Sequence, residues 1–235
     1  MMYRYETHLH TWPVSRCAKA SVRDNLEFYK SMGYAGVFIT NHFINGNINI
    51  SRDTPYRDKI EFYFSDYEEA CRIGEEIGLR VFDGVEMSYG GTDFLIYGLH
   101  KDWYLGHPEI ESLQMTELLG FLREQGALVI QAHPYREASY IDHIRLFPRS
   151  VHGVEICNAD SSELENQMAY HYSNSYGLLH FAGTDNHKAD RCKRFAGMES
   201  ETPVLNEQDF VQKVLAGQML PFCRDLESET ERMSL

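Results

Sequence analysis

The sequence lacks long hydrophobic runs. No apolar stretch in its 235 residues approaches the roughly 18 residues that a transmembrane helix needs. Its first ten residues, MMYRYETHLH, contain neither an apolar core nor a cleavage site of the kind that a secretory leader carries. We therefore expect a cytoplasmic protein with no membrane partner.

Cysteine is also scarce and irregularly placed. The chain has five cysteines, and no two of them form a C-x-x-C pair. An odd number without such pairs argues against a disulfide framework and against a structural zinc knuckle. We expect the cysteines to be reduced thiols, as is usual in the cytoplasm.

Several common functional motifs are missing. No G-x-G-x-x-G follows the first strand-like segment, so a dinucleotide-binding fold is not expected. The sequence has no P-loop and no G-x-S-x-G nucleophile motif. Basic residues are outnumbered and the net charge is −13, which makes nucleic acid an unlikely partner because phosphate neutralisation needs clustered Lys and Arg. An anionic substrate remains possible, since bound metal ions reverse the potential inside a pocket.

What the chain does contain is an alternation of strand-like and helix-like segments, which is typical of parallel α/β proteins. The segment SVRDNLEFYKSMG predicts a helix capped by Ser21 and ended by Gly33. We expect a long polar loop from Phe43 to Phe64, and then a capped helix over SDYEEACRIGEEIG. The length suits one domain over residues 1–225, followed by a polar tail over 226–235.

Metal-binding residue types recur at the carboxyl ends of the strand-like segments. In a parallel barrel these ends converge on one rim, and residues two apart on a strand face the same side. Six of the 11 histidines would then share one pocket with two carboxylates. The candidate ligands are His8, His10, His42, Glu86, His100, His133, Asp185 and His187.

This mixture of donors predicts a cluster of divalent metals. Imidazole and carboxylate together suit Zn²⁺, Mn²⁺ or Fe rather than Ca²⁺. Eight candidate ligands exceed the four that one tetrahedral zinc requires. The simplest account is two or three metal ions sharing a bridging carboxylate.

In chain order, the stretches HLH, TNH, GVE, GLH, AHP and GTDNH resemble the polymerase and histidinol phosphatase (PHP) superfamily. The resemblance covers strand ends from residue 8 to residue 187. It implies an α/β fold in which about seven βα units form a distorted TIM-like barrel, with a metal cluster at the C-terminal rim of the strands.

The resemblance also implies how the ligands are shared among three metals. The first would be held by His8, His10, Glu86 and Asp185, the second by His42 and His187, and the third by His100 and His133 with Glu86 bridging. One position departs from the pattern. Many members carry a histidine or aspartate about six residues after the second histidine of the first motif, where this chain has Arg16. We interpret the adjacent Cys17 as a packed or free thiol.

A metal cluster of this kind indicates hydrolysis of a small phosphate ester. Bound metals lower the pKa of water to about 7 and so supply hydroxide at neutral pH. Asp185, His187 and Arg16 are the candidate catalytic residues, and Arg16, Arg136 and Lys188 are candidates for binding phosphate. Two alternatives remain open: a metal-dependent hydrolase of C–N bonds, and a non-catalytic metal-binding regulatory module.

Overall fold

A computed structural model of the chain describes residues 2–191 and 194–225. Cys192 and the predicted polar tail over residues 226–235 lie outside the described residues.

The described residues form ten strands and six α-helices that alternate over much of the chain. The strands are β1 (Tyr3–Leu9), β2 (Gly36–Ile39), β3 (Arg80–Asp83), β4 (Val85–Tyr89), β5 (Thr92–Tyr97), β6 (Leu128–Ala132), β7 (Gly153–Asn158), β8 (Leu179–Gly183), β9 (Arg194–Ser200) and β10 (Leu220–Asp225). The helices are α1 (Val22–Ser31), α2 (Tyr56–Ile77), α3 (Lys101–Gly106), α4 (Met115–Glu124), α5 (Glu163–Tyr176) and α6 (Glu207–Leu215). Among the described helices, none has both the length and the hydropathy to cross a membrane.

The strands pair into two five-stranded sheets, ordered β10-β9-β1-β2-β3 and β4-β5-β6-β7-β8. Isolated bridges link the two sheets, one between Leu9 and Asn186 and one between His42 and Glu86. Within the described ranges the two sheets do not join into one closed barrel. The α/β class is therefore confirmed, whereas a closed barrel of seven βα units is not found.

Parallel pairing is confirmed for only part of each sheet. The pairs β1–β2, β2–β3, β6–β7 and β7–β8 are parallel. In contrast, β5 pairs antiparallel with both β4 and β6, and β9 pairs antiparallel with both β1 and β10. The turn between β4 and β5 consists of Gly90 and Gly91, which both adopt positive φ, and such a Gly-Gly pair is a hairpin signal. This hairpin reverses the direction of β5, which changes where its carboxyl end lies.

The first predicted helix is confirmed in its capping and its buried face. Ser21 accepts a hydrogen bond from the backbone N–H of Asp24, and the Asp24 side chain accepts one in return, which completes a capping box. Val22, Leu26 and Tyr29 are buried along one face, so the helix packs by its apolar stripe.

The prediction of a loop up to Phe64 is wrong for its second half, because α2 already begins at Tyr56 and runs for 22 residues. Ile60, Tyr63 and Phe64 are buried on one side of the helix. Their spacing of three and four residues is helical, and Glu61, which lies between them, is exposed. Polarity averaged over the segment hides this periodicity.

The interior of the sheets is packed with aromatic side chains. Tyr5, Phe38, Tyr97 and Phe181 are fully buried and belong to one apolar cluster. They come from strands of both sheets, so the cluster holds the two sheets together from inside. Burying such large side chains contributes about 1.5–3 kcal/mol each.

Two cysteines are bonded, contrary to the expectation that all are reduced. A disulfide joins Cys157 of β7 to Cys223 of β10, two residues that lie 66 positions apart. Their Cα atoms are 6.5 Å apart, within the range that a disulfide spans. Sequence spacing gave no sign of this pair because the two strands belong to different sheets and meet only in the folded chain.

Gly183, at the end of β8, allows this strand to approach residues of β1 and β7 closely. A Cβ at this position would lie 2.5 Å from the Cβ of His8 and 2.6 Å from Glu155 Oε1. Gly183→Ala is therefore expected to lower the free energy of unfolding by about 1–3 kcal/mol through overpacking. Urea unfolding of the purified variant measures this change.

Gly120→Ala is the matched control, because a Cβ there meets no described atom within 4 Å and the residue lies inside α4. It should be neutral or stabilising by up to about 1 kcal/mol. Equal stability of the two variants would show that Gly183 tolerates a side chain.

Candidate metal centre

Five imidazoles and two carboxylates meet where the two sheets adjoin. Three triplets of potential ligand atoms each lie within 4.8 Å of one another. The triplets are His10 with His42 and His187, His8 with Glu86 and His133, and His8 with His10 and Asp185. Seven of the eight predicted ligands are thus brought together, and they come from both sheets.

The local backbone explains why these side chains point inward. His8 and His10 lie two residues apart at the end of β1, so they share one face of the strand. The His10 N–H donates to Asn186 O at 3.0 Å, which fixes the end of β1 beside the segment that carries Asp185. Asp185 itself has φ of 57°, a left-handed conformation that aspartate adopts more readily than most residues.

Hydrogen bonds behind the imidazoles fix their orientation. His8 Nδ1 lies 3.1 Å from Glu155 Oε1, and His10 Nδ1 lies 3.1 Å from Ser15 Oγ. Ser15 donates its own hydroxyl proton to Asn41 Oδ1 at 2.7 Å, so it accepts the proton of His10 Nδ1. The Nε2 lone pair of His10 is then free to face the centre of the site, as in metal-ligating histidines.

Several buried polar atoms in the centre fit a metal. His8 Nε2, His10 Nε2, His42 Nδ1 and Glu86 Oε2 are buried and have no hydrogen-bond partner among the described residues. They face nearby carboxylate or imidazole atoms at ion-pair distances, such as 2.6 Å between His42 Nδ1 and Glu86 Oε2, but without hydrogen-bond geometry. Unsatisfied buried donors and acceptors are costly. Divalent cations between them would satisfy all four.

The electrostatics favour the ligand forms of Glu86, Asp185 and His10. Burial would raise the pKa of Glu86, but His42, His8 and His10 hold it well below its usual value. Asp185 behaves in the same way, with His8 and Arg136 lowering its pKa against the effect of burial. Burial and the neighbouring His187 and His42 lower the pKa of His10 well below normal. Ionised carboxylates and a neutral imidazole are the ligand forms of these groups. Burial would lower the pKa of His8 and His42, but neighbouring carboxylates raise it well above normal, so these two imidazoles must lose a proton to bind a metal.

Cys17 is a free thiol, as expected, and it lies beside two of the predicted ligands. Its Sγ lies 3.2 Å from His42 Nε2 and 3.1 Å from His187 Nε2. Burial would raise the pKa of this thiol, but hydrogen bonds with His187 and His42 lower it to about 6. The resemblance places a ligand near His42 and His187 at position 16. In the structure the side chain beside these two histidines is that of Cys17. Arg16 itself is exposed.

His100 is the predicted ligand that does not join the others. It follows β5, and β5 runs antiparallel to β4 and β6. The end of β5 therefore lies beside the start of β6, with Tyr97 opposite Leu128, whereas His133 follows the other end of β6. The prediction that His100 and His133 share a metal is wrong for this reason.

Asp93, at the start of β5, lies beside His133, where His100 was expected. Its register partner is Ala132, the residue before His133, and its Oδ2 lies 3.8 Å from His133 Nε2. Burial raises the pKa of Asp93. The signal that points to Asp93 in the sequence is Gly90-Gly91, which predicts a hairpin and hence a reversed strand.

The predicted phosphate-binding residues have different surroundings. Arg136 Nη2 donates to Asp185 Oδ2 at 2.6 Å and also to Asn158 Oδ1 at 3.3 Å, so it is tied to a predicted metal ligand. Lys188 is exposed and lines a cavity of about 680 Å³ together with Cys17, Asp185 and His187. Arg194 lines the same cavity, which therefore offers cationic side chains beside the candidate metal ligands.

The chain matches no protein family by its overall sequence pattern, and no curated protein matches it. Solved structures do resemble it. One is a two-domain protein from Bacteroides vulgatus that contains a predicted PHP-like metal-dependent phosphoesterase (TM-score 0.68, 12% identity), and the match covers 94% of this chain and 65% of that one. This chain thus spans less than two thirds of that protein.

Two further structures match over most of their own length. PsfC from Pseudomonas syringae has a TM-score of 0.61 at 13% identity, with 99% of this chain and 95% of that chain covered. A proposed metal-dependent phosphoesterase from Bifidobacterium adolescentis has a TM-score of 0.55 at 13% identity, with coverage of 80% and 89%. At such identities the likeness establishes the fold. The chain has the fold of PHP-like proteins, as the strand-end motifs predict.

Asp66 of α2 forms hydrogen bonds with the segment that follows His8 and His10, and its ionisation should affect the stability of the fold. Its Oδ2 accepts hydrogen bonds from Thr11 Oγ1 at 2.6 Å, from Val14 N at 3.2 Å and from Asn41 Nδ2 at 3.2 Å. Burial raises the pKa of Asp66 to about 6. A carboxyl whose pKa is higher in the folded state stabilises the fold at pH below its unfolded pKa, and this contribution is lost as pH rises through 6.

Asp66→Asn keeps one acceptor oxygen and removes the titration. From pH 4 to pH 7 the variant should therefore gain stability relative to the parent protein, by at most about 3 kcal/mol for a shift of roughly two pKa units. Urea unfolding across this pH range measures the difference. Asp53→Asn, at an exposed carboxylate, is the control, and parallel pH profiles for Asp66→Asn and the parent would refute the prediction.

Proposed function

We propose that the protein is a metal-dependent hydrolase that cleaves a phosphate ester of a small molecule. The observation that carries the proposal is the set of buried nitrogen and oxygen atoms without partners, on His8, His10, His42 and Glu86. They surround a space beside a cavity whose wall includes Lys188 and Arg194. An anionic substrate in this cavity would meet cations from both the side chains and the bound metals.

We assign the ligands to three ions by extending the division that the resemblance implies. His8, His10, Glu86 and Asp185 would hold a first ion, and His42 and His187 with the Cys17 thiolate a second. His133 with Glu86 and Asp93 would hold a third. Bound ions of this kind polarise the phosphoryl group and supply hydroxide at neutral pH. Zn²⁺, Mn²⁺ and Fe suit this donor set.

The surrounding residues orient the reaction. Arg136 holds Asp185 by a charge-assisted hydrogen bond, which fixes the carboxylate that faces the cavity. His187 and Asp185 lie at the cavity wall, where they are placed to orient the attacking water and to hold its proton. Lys188 is placed to contact a phosphate oxygen as a point charge. Arg16, exposed on the segment that carries Cys17, remains a predicted phosphate-binding and catalytic residue.

Cleavage of an amide C–N bond is the second candidate. An amidohydrolase from Chromobacterium violaceum, solved with bound sulfate and no metal, has a TM-score of 0.53 at 13% identity, with coverage of 96% of this chain and 99% of that one. Release of phosphate from simple monoesters and release of amine from amides distinguish the two candidates. We favour the ester because the cavity carries Lys188 and Arg194.

The hydrolytic proposal is tested with His10→Ala. This change removes the imidazole shared by two ligand triplets. The purified variant, reconstituted with Zn²⁺ or Mn²⁺, should lose about 100-fold or more in kcat/KM for phosphate release from a generic monoester, because loss of one ligand disturbs both metal affinity and geometry. Phosphate release by a colorimetric assay measures it.

His171→Ala is the matched control, because His171 is exposed on α5. It should keep the parent's activity. Equal rates for His10→Ala and the parent would contradict catalysis by this cluster, and phosphate release by neither protein with Zn²⁺ or with Mn²⁺ would remove the esterase proposal.

The role of Cys17 is tested separately by Cys17→Ser. A thiolate bound to Co²⁺ gives a charge-transfer absorption in the near ultraviolet, and serine does not. The cobalt-loaded parent should show this band and Cys17→Ser should lack it, while Cys71→Ser, at a free cysteine of α2, should retain it. A band that survives in Cys17→Ser would show that the thiol is not a ligand.

A further inference from the structure

A second group of potential metal ligands lies away from the cluster described above. Asp83 at the end of β3, His100 before α3 and Glu207 at the start of α6 each offer one ligand atom, and these atoms lie within 4.8 Å of one another. His100 Nδ1 is 3.1 Å from Asp83 Oδ2. Glu207 Oε1 accepts the backbone N–H of Asp83 at 3.2 Å. We call these three residues the lateral cluster.

The lateral cluster is a separate place in the fold. Asp83 ends β3 in one sheet, whereas Glu86 lies on β4 in the other sheet. The neighbouring Phe82 packs into the core between the sheets, so Asp83 faces the other way, towards the surrounding helices. Burial and interactions with Asp83 and Glu207 raise the pKa of Tyr67 and Cys71, both on α2. The cluster therefore lies between β3 and the helices outside the sheet.

The buried charge of the lateral cluster is poorly satisfied by the chain itself. Asp83 is 2% exposed and Glu207 is 8% exposed. Asp83 Oδ1 is buried and has no hydrogen-bond partner among the described residues. Two carboxylates with one imidazole leave negative charge in a site of low dielectric, and such charge is expensive unless a cation neutralises it. An uncompensated buried oxygen of this kind points to a bound cation as its partner.

Access for an ion is provided by His100, whose side chain is 52% exposed. The three ligands come from segments that are far apart in sequence. One ion would therefore connect the end of β3, the start of α3 and the start of α6. Binding to the folded chain alone stabilises it by mass action.

From this geometry we propose that Asp83, His100 and Glu207 bind one Zn²⁺ ion at a site distinct from the candidate catalytic cluster. Two carboxylates and one imidazole form a donor set that zinc accepts, and three protein ligands leave a fourth position for water. His100 binds through a ring nitrogen in its neutral form, and the proton that it shares with Asp83 is released to solvent. The site does not depend on the chemistry at the other cluster.

The first test counts zinc in His100→Ala. Parent and variant are loaded with Zn²⁺, desalted and analysed for zinc per chain. His100→Ala should hold about one zinc ion fewer than the parent, because two carboxylates alone bind zinc weakly. His143→Ala is the matched control, because His143 Nδ1 also lies 3.1 Å from a carboxylate, that of Asp142, at an exposed site. This control should hold as much zinc as the parent.

The second test locates the ion directly. Crystals of the parent grown with Zn²⁺ should show an anomalous peak at the zinc edge between Asp83, His100 and Glu207, in addition to any peaks at the other cluster. Peaks at the other cluster alone, or equal zinc contents in His100→Ala and the parent, would overturn the proposal. The anomalous peaks of the two clusters would lie at different positions. A peak at the lateral cluster would therefore support this proposal even if the hydrolytic proposal failed.

The third test checks that His100→Ala is folded and compares how zinc affects its stability. His100 is half-exposed, so His100→Ala should keep the parent's circular dichroism. Addition of Zn²⁺ should raise the melting temperature of the parent and of His143→Ala by more than that of His100→Ala. Equal shifts in all three proteins would count against a zinc ion at the lateral cluster.

Discussion

Burial of charge is the constraint on which the rest of this structure depends. Glu86 and Asp185 are 1% and 2% exposed, and His8 and His10 beside them are fully buried. An ionised carboxylate in such a place costs several kcal/mol unless opposite charge surrounds it. Here imidazoles, Arg136 and the proposed metal ions provide that charge. The fold must therefore bring these groups from both sheets to one place and hold them there.

A second layer of polar side chains holds the candidate ligands in position. Ser15 and Asn41 bind each other behind His10, and Asp66 binds Asn41 and the backbone after the first motif. Glu155 contacts His8 and also accepts the backbone N–H of His133. These partners are themselves buried, so their hydrogen bonds restrict the rotamers of the ligands. The ligands are thus ordered before any ion binds, which lowers the entropic cost of binding it.

The reversed strand β5 determines which residues share the centre. Because the Gly90-Gly91 hairpin turns the chain back, the start of β5 brings Asp93 to His133, and its end carries His100 to Asp83. One change of direction thus separates two groups of metal-ligating residues that the spacing of the sequence had merged. It leaves the candidate catalytic cluster with an aspartate and gives the lateral cluster its histidine.

The sequence alone determined the α/β class, the capped helix after Ser21, and the strand-end positions of His8, His10, His42, Glu86, His133, Asp185 and His187. It did so because strand and helix periodicities and paired ligands at strand ends are local patterns. The burial of Ile60 and Phe64 on α2 was missed because the charged residues around them masked a helical period. Only the tertiary structure decided the places of Cys17, Asp93 and His100 and the pairing of Cys157 with Cys223, since these depend on strand direction and on contacts between residues far apart in the chain.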